Sequence, residues 1–175
     1  KTLSLPVAQS IVAGTTGFEF AKIELNAMTS GEDVRVSSLI VSDVTAGTLT
    51  NLGNLQLFNG ATQLTTSNST ATNAAFSTFT LTSALVVPKG TIVTLSLKAD
   101  VLTGTSGSHA FSLYSVSATG KDTGTAVTVS PTGSGQAMAI QSGPTVALSL
   151  LTGANASPNA NQTANVATND GVYFA

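Results

Sequence analysis

The side chain best suited to acid–base chemistry is His109, the single histidine of the chain. A Ser/His/Asp hydrolase would have to use it as the base, with Asp100 or Asp122 orienting the ring. No Gly-x-Ser-x-Gly nucleophile elbow accompanies it, and the chain has no cysteine that could act as a thiol nucleophile. A single histidine without such partners is more often a surface or strand-end residue. The sequence therefore predicts no catalytic residues and no enzyme.

The acidic residues offer only weak candidates for a metal site. Calcium takes several oxygen ligands, and the plausible donors are Glu32 and Asp33 in a glycine turn and Asp122 in "GKDTG". No acidic loop with EF-hand spacing exists. The favoured interpretation is solvated turn residues and no cofactor, with calcium as the one cofactor that these carboxylates suggest.

Asparagine acceptor triplets are the remaining chemical motif. Asn68-Ser69-Thr70 and Asn161-Gln162-Thr163 fit the pattern for N-glycosylation. A third triplet at Asn155 is weakened by the proline that follows it. The sequence predicts modification at Asn68 or Asn161.

The composition places these motifs on a surface that is polar through hydroxyl groups. Charged residues make up 8% of the chain, whereas it contains 21 Ser and 28 Thr. The net charge of −2 provides no basic field for nucleic acid. The longest apolar runs, such as "ALVV" at 84–87, are too short to span a membrane. This composition favours an extracellular, cell-surface location.

Alternating apolar residues predict strands throughout the chain. In the clearest run, every second residue from Val93 to Val101 is apolar, and the intervening positions are mostly polar. A "VPKG" turn joins this run to the preceding strand. Further strands are expected at 7–13, 18–26, 34–42, 54–59, 109–118, 126–130, 136–141 and 145–151. Short strands at this spacing indicate an all-β sandwich, Ig-like or jelly-roll-like.

Two of these strands change phase midway. Phe18 and Phe20 share one face, whereas the apolar residues after Lys22 occupy the other face. The strand that begins at Val34 changes phase in the same way. Each change predicts a β-bulge or a strand that moves between sheets. The segment "TATNAAFS" at 70–77 is the one candidate helix, and it is too short to be stable alone.

The two ends of the chain resemble each other. "GFEFA" at 17–21 returns as "GVYFA" at 171–175, and a proline, an alanine and a glutamine precede both copies in the same order. The spacing of about 154 residues corresponds to one sandwich domain. The sequence predicts a sandwich domain over 1–151 and an extended linker or arm over 152–175 that ends in this repeated strand.

Several segments resemble a known class of proteins: "SIVAGTTGFEFAKIELNA", "DVRVSSLIV", "NLQLFNG", "LVVPKGTIVTLSLKADV" and "HAFSL". They look like the repeated β-sandwich modules of large prokaryotic surface proteins, which are S-layer-like, adhesin-like or filament-forming. The similarity covers roughly residues 10–115 and carries no catalytic residues across. It implies a structural role outside the cell.

Together these observations predict a structural subunit or repeat of an extracellular filament or S-layer. It would assemble head to tail with copies of itself or with neighbouring repeats of the same chain. The predicted assembly strand comprises Val172, Tyr173, Phe174 and Ala175, with Phe18 and Phe20 as its N-terminal counterpart, joined by strand donation. The alternative is an adhesin-type module that binds a surface glycan or protein through its loops.

Overall fold

A computed structural model describes residues 1–45, 49–65 and 76–143. The compact unit runs from Lys1 to Gly143. Its described residues form eleven strands and one 3₁₀ turn at Leu49–Asn51. The strands are β1 (Thr2–Leu3), β2 (Ser10–Val12), β3 (Phe18–Asn26), β4 (Val34–Asp43), β5 (Leu52–Asn59), β6 (Thr62–Gln63), β7 (Phe76–Val87), β8 (Ile92–Val101), β9 (Gly107–His109), β10 (Phe111–Gly120) and β11 (Met138–Gln141).

The strands form three sheets that enclose one apolar core. The largest has the order β1-β3-β8-β5-β6, the second β10-β4-β7, and the smallest β2-β11-β9. All neighbours are antiparallel except β2 and β11, which are parallel. The prediction of an all-β sandwich is confirmed.

Strand β8 shows how the alternating pattern builds this core. Leu95, Leu97, Ala99 and Val101 are almost fully buried, whereas the residues between them lie on the partly exposed face. Burying a side chain of this size contributes about 1.5–3 kcal/mol. Phe20, Phe79 and Phe111 fill the centre of the core, and each is at most 1% exposed.

Both predicted phase changes are β-bulges. The pairing of β3 with β8 shifts register between Glu19 and Ala21, and the pairing of β4 with β10 shifts between Val36 and Ser38, with one extra residue on β3 and on β4. An extra residue on one strand reverses the face that later side chains occupy. The bulge in β3 therefore allows Phe20 and Ile23 both to point into the core.

The predicted strand at 126–130 is wrong. Ala126 makes only a single bridge to Thr119, and Val127 donates one main-chain hydrogen bond to Ala118. Pro131 cannot donate a ladder hydrogen bond, and the segment then turns at Gly133, whose φ is +79°. The pattern also missed β1, β6 and β9, each of two or three residues. In the candidate helix at 70–77, the last two residues begin β7, and the others lie outside the described residues.

The first and last strands reach opposite ends of the sandwich. Lys1 hydrogen-bonds to Glu24 near the end of β3. The carbonyl of Gln141 accepts from Ala13, close to where β3 begins. A nine-residue strand spans roughly 30 Å. We call the end that contains Lys1 the entry end and the end that contains Gln141 the exit end.

Candidate functional sites

A buried histidine–aspartate pair lies inside the sandwich. The Nδ1 atom of His109, at the end of β9, is 2.5 Å from Oδ2 of Asp43, at the end of β4. Both side chains are 0% exposed. The ring of Phe111 stacks on the imidazole, and the ring of Phe20 meets it edge to face. The pair joins the smallest sheet to the β10-β4-β7 sheet.

The carboxylate of Asp43 is saturated with hydrogen bonds. Its Oδ1 accepts from the main-chain N–H of Thr45 at 3.0 Å, from the Thr45 hydroxyl at 2.7 Å and from the N–H of Ala110 at 3.2 Å. The Nε2 atom of His109 has no partner among the described residues. Because both side chains are sealed from solvent, the pair has no surface on which a substrate could meet the ring. Its role visible here is to hold two strand ends together.

The sequence-based placement of His109 is corrected by this geometry. The histidine does lie at a strand end, but it is fully buried, and its partner is Asp43 rather than Asp100 or Asp122. Asp100 instead accepts hydrogen bonds from the N–H of Gly17 and from the amide of Asn54. A signal for Asp43 was present, since it continues the inward-facing alternation of β4. A charged residue on a buried face calls for a buried partner.

The acidic residues proposed as calcium donors lie in two turns at the entry end, the β3–β4 turn and the turn after β10, which hydrogen bonds hold together. The carboxylate of Glu32 accepts from the N–H groups of Asp122 and Thr123 and from the Thr123 hydroxyl, at 2.6, 3.1 and 2.6 Å. The hydrogen bond from the Thr123 side chain is the largest cause that lowers the pKa of Glu32. In the described ranges, no three His, Cys, Asp or Glu side chains come together as potential metal ligands. The calcium site stays a prediction.

Asp33 strengthens the same connection. Its carboxylate accepts from the N–H of Lys89 at 3.0 Å and from the ammonium of Lys121 at 3.1 Å. These interactions, with the Lys89 hydrogen bond the largest, lower the pKa of Asp33. The β3–β4 turn is thereby tied to the turns after β7 and after β10.

These contacts predict an acid-sensitive contribution to stability. The pKa of folded Glu32 lies below its ordinary value of 4.5, so the contribution is complete above about pH 4.5 and is lost as the pH falls through the lower folded value. We expect Glu32→Gln to flatten the dependence of the denaturation midpoint on pH below 4.5. The matched control is Glu19→Gln, because the one side-chain interaction of Glu19 within the described residues is an ion pair with Lys22. An unchanged pH profile for Glu32→Gln would contradict the assignment.

Some of the predicted assembly residues lie within the described residues, and the others lie outside them. Phe18 and Phe20 lie at the start of β3, which pairs with β8 there, whereas β1 pairs further along with Lys22 and Ile23. Residues Val172 to Ala175, the proposed glycosylation sites Asn68 and Asn161, and the arm at 152–175 lie outside the described residues.

Two surface features could receive other molecules. An apolar groove of about 240 Å³ opens between β3 and β10, near Lys1, and is lined mostly by aliphatic side chains. On the outer face of the β10-β4-β7 sheet, Tyr114 is 58% exposed and meets the ring of Phe76 at 4.8 Å. Tyr114 is therefore an exposed aromatic on a strand, whereas the adhesin alternative places binding on the loops.

Comparisons with known proteins add no relative. No protein-family model matches the chain, and no curated protein matches it in a sequence search. Within the described ranges, no helix is long and apolar enough to cross a membrane.

Proposed function

We propose that this chain is a structural module of an extracellular assembly, joined head to tail to further copies of the same module. The observation that carries the proposal is the match between "GFEFA" and "GVYFA", 154 residues apart. In the described unit the first copy forms the start of β3, which lies in the interior of the largest sheet.

The matched positions are those at which the fold constrains the residue. Gly17 has a φ of +61°, which favours glycine. Phe20 and Ala21 are both 0% exposed. The two positions that differ between the copies are those of Phe18 and Glu19, which are only partly buried. A match confined to constrained positions supports a second copy of the same core strand.

Strand β1 supports the same interpretation. Upstream of the two copies stand two more similar segments, "TLSL" at 2–5 and "ALSL" at 147–150. Leu3 belongs to β1, which pairs with β3. The chain after Gly143 thus has matches to both segments in the same order, although "TLSL" also occurs at 94–97, in β8. We propose that the chain after Gly143 encodes the opening strands of a following module.

This form of assembly differs from strand donation in where the repeated strand would pair. In the described unit, residues 18–21 of β3 pair with β8, whereas β1 pairs with Lys22 and Ile23. A donated copy of "GVYFA" would have to displace this segment from β8 to take its place. A following module offers the repeated strand a position of its own. The entry and exit ends lie at opposite ends of the sandwich, which favours an extended chain of modules.

A glycan- or protein-binding module is the second candidate. Tyr114 supports it, because an exposed aromatic ring on a hydroxyl-rich sheet face suits stacking against a sugar. Tyr114→Ala would abolish such binding without weakening assembly. Retention of glycan on an array of immobilised sugars, compared between the two proteins, checks this.

The structural proposal is tested by completing the second module. We would append a second copy of residues 22–143 directly after Ala175. We expect two folded modules, with a β-sheet signal in circular dichroism close to twice that of the original molecule. We also expect a maximum dimension in small-angle scattering close to double that of one module. The matched control carries Phe174→Ser in the same fusion, which places a hydroxyl where Phe20 is buried in the first copy.

The outcomes separate the two forms of assembly. If the appended residues remain protease-sensitive and unfolded in the parent fusion, the tandem proposal is wrong. Deletion of 171–175 from the original chain tests strand donation independently. A filament that electron microscopy shows before this deletion and not after it would favour donation over a following module.

A further inference from the structure

We infer that the parallel pair of β2 and β11 is a mechanical clamp, which carries tension across the module and keeps that tension out of the core. The source of the tension rests on the proposed function, because a chain of modules is pulled through its ends. The clamp itself is a property of the single module and can be measured without assembly.

Strands β2 and β11 both belong to the smallest sheet, and they are its first and last strands along the chain. Ser10, Ile11 and Val12 lie opposite Ala139, Ile140 and Gln141 in parallel register. Two main-chain hydrogen bonds flank this register, from Ala139 to Gln9 at 3.0 Å and from Ala13 to Gln141 at 2.9 Å. The first and last parts of the fold are therefore bonded directly to each other.

Parallel pairing sets the direction in which these bonds are loaded. Tension pulls β2 from its N-terminal end and β11 from its C-terminal end. Because the two strands run in the same direction, these forces oppose each other along one axis, and the strands must slide past each other. All bonds of the register then share the load and must break together, whereas strands pulled apart from one end lose their bonds one at a time.

The hydrogen-bonded pairing of β2 with β11 also shortens the path along which the force travels through the module. Tension that enters through β2 crosses to β11 and leaves through Gln141. The segment from 13 to 137, which contains β3 to β10, lies outside this path while the clamp holds. The large sheets are thus shielded from the load.

The clamp is held in place by buried side chains of β2 and β11 and by the pairing of β11 with β9. Ile11 and Ile140 are register partners with only 4% and 3% exposure, and Met138 is fully buried. Strand β9 pairs with the other edge of β11, where Met138 lies opposite His109. Sliding β11 therefore withdraws apolar side chains from the core as well as breaking hydrogen bonds.

Strand β1 is expected to yield before the clamp. It pairs with β3 through only two residues, Thr2 and Leu3. Further main-chain bonds join Lys1 to Glu24 and Leu5 to Lys22, and Thr2 is also hydrogen-bonded to Thr132 and Leu113. Release of β1 frees a segment of about eight residues, or roughly 25–30 Å. The main barrier then lies at β2 and β11, and its failure releases a chain of roughly 430–470 Å.

The chain offers a comparison of two pulling directions in one folded molecule. Because it contains no cysteine, Ser106→Cys provides a single attachment point in the exposed turn before β9. Pulling between the thiol introduced at position 106 and the C-terminus opens β9 and β11 from one end, because Gly107 lies opposite Ile140 in an antiparallel pair. Pulling between the N- and C-termini loads the parallel clamp by sliding.

Single-molecule force spectroscopy on the full chain tests the inference. We expect the main rupture force between the termini to be several-fold higher than the first rupture force between position 106 and the C-terminus. Equal forces in the two directions would overturn the clamp. This result would leave the tandem proposal intact, since that proposal depends on whether the completed second module folds.

A pair of proline variants gives a second test. Ala13→Pro removes the donor to Gln141, and Ala27→Pro removes a donor to Thr91. Both alanines directly follow a strand and donate one main-chain bond, but only Ala13 lies at the clamp. We expect Ala13→Pro to lower the rupture force severalfold relative to Ala27→Pro. Equal rupture forces at similar thermal unfolding temperatures would contradict the inference.

Discussion

Replacing Asp43 with alanine is expected to cost about 3–5 kcal/mol of unfolding free energy, because it removes one partner of a buried charged or polar pair. The imidazole of His109 then loses its only hydrogen bond among the described residues, and the N–H groups of Thr45 and Ala110 lose their acceptor. Each buried donor left without a partner costs about 1–3 kcal/mol. Small domains have total stabilities of about 5–15 kcal/mol, so a large part of the stability is at stake.

Urea-induced unfolding, followed by circular dichroism, measures the effect. The matched control is Asp100→Ala, which also removes a carboxylate with two hydrogen-bonding partners, Gly17 and Asn54, at a partly exposed site. We expect Asp100→Ala to cost about 1–2 kcal/mol, because water can replace the lost contacts. Equal losses for the two variants would show that the pair does not tie the sheets together.

Gly133→Ala is expected to have the second-largest effect, because it would detach β1. Gly133 has a φ of +79°, a conformation that costs a residue with a Cβ atom about 1–2 kcal/mol. A Cβ atom at this position would also fall on the main-chain carbonyl oxygen of Thr2. Relieving that clash moves Thr2 and breaks its hydrogen bonds to Thr132 and Leu113. The two lost bonds add about 1–3 kcal/mol.

The control for this substitution is Gly104→Ala. Gly104 has a similar φ of +72°, but a Cβ atom there would have no neighbour within 4 Å. The control therefore measures the conformational cost alone. We expect hydrogen exchange of the Leu113 amide to accelerate in Gly133→Ala and to remain unchanged in Gly104→Ala. Equal destabilisation of the two variants would contradict the assigned packing of Thr2 against Gly133.

The sandwich could be predicted from the sequence because most strands have one buried face. The alternation in β8 and the phase changes in β3 and β4 are local patterns, and each corresponds to an observed feature. The same rule failed at 126–130, where alternating residues form no ladder. A pattern of side chains predicts which face is apolar, but it does not show whether a partner strand is within reach.

The buried pair of His109 and Asp43 shows a different limit. The two residues are 66 positions apart, and only the pairing of the sheets brings them together. Asp43 could have been identified as a buried carboxylate from the alternation of β4. Its partner could not, because strand order is set by long-range packing that a single sequence does not display. The three turns joined by Glu32 and Asp33 were hidden for the same reason.

The pairing of β2 with β11 also sets the order in which a module can be completed during synthesis. About 130 residues separate the two strands. At about 5–20 residues per second, the ribosome needs roughly 6–26 s to produce the second strand after the first. During that interval β2 has no parallel neighbour, and the apolar side chain of Ile11 lacks its register partner Ile140. The newly made chain must protect this unfinished edge until its last strand arrives.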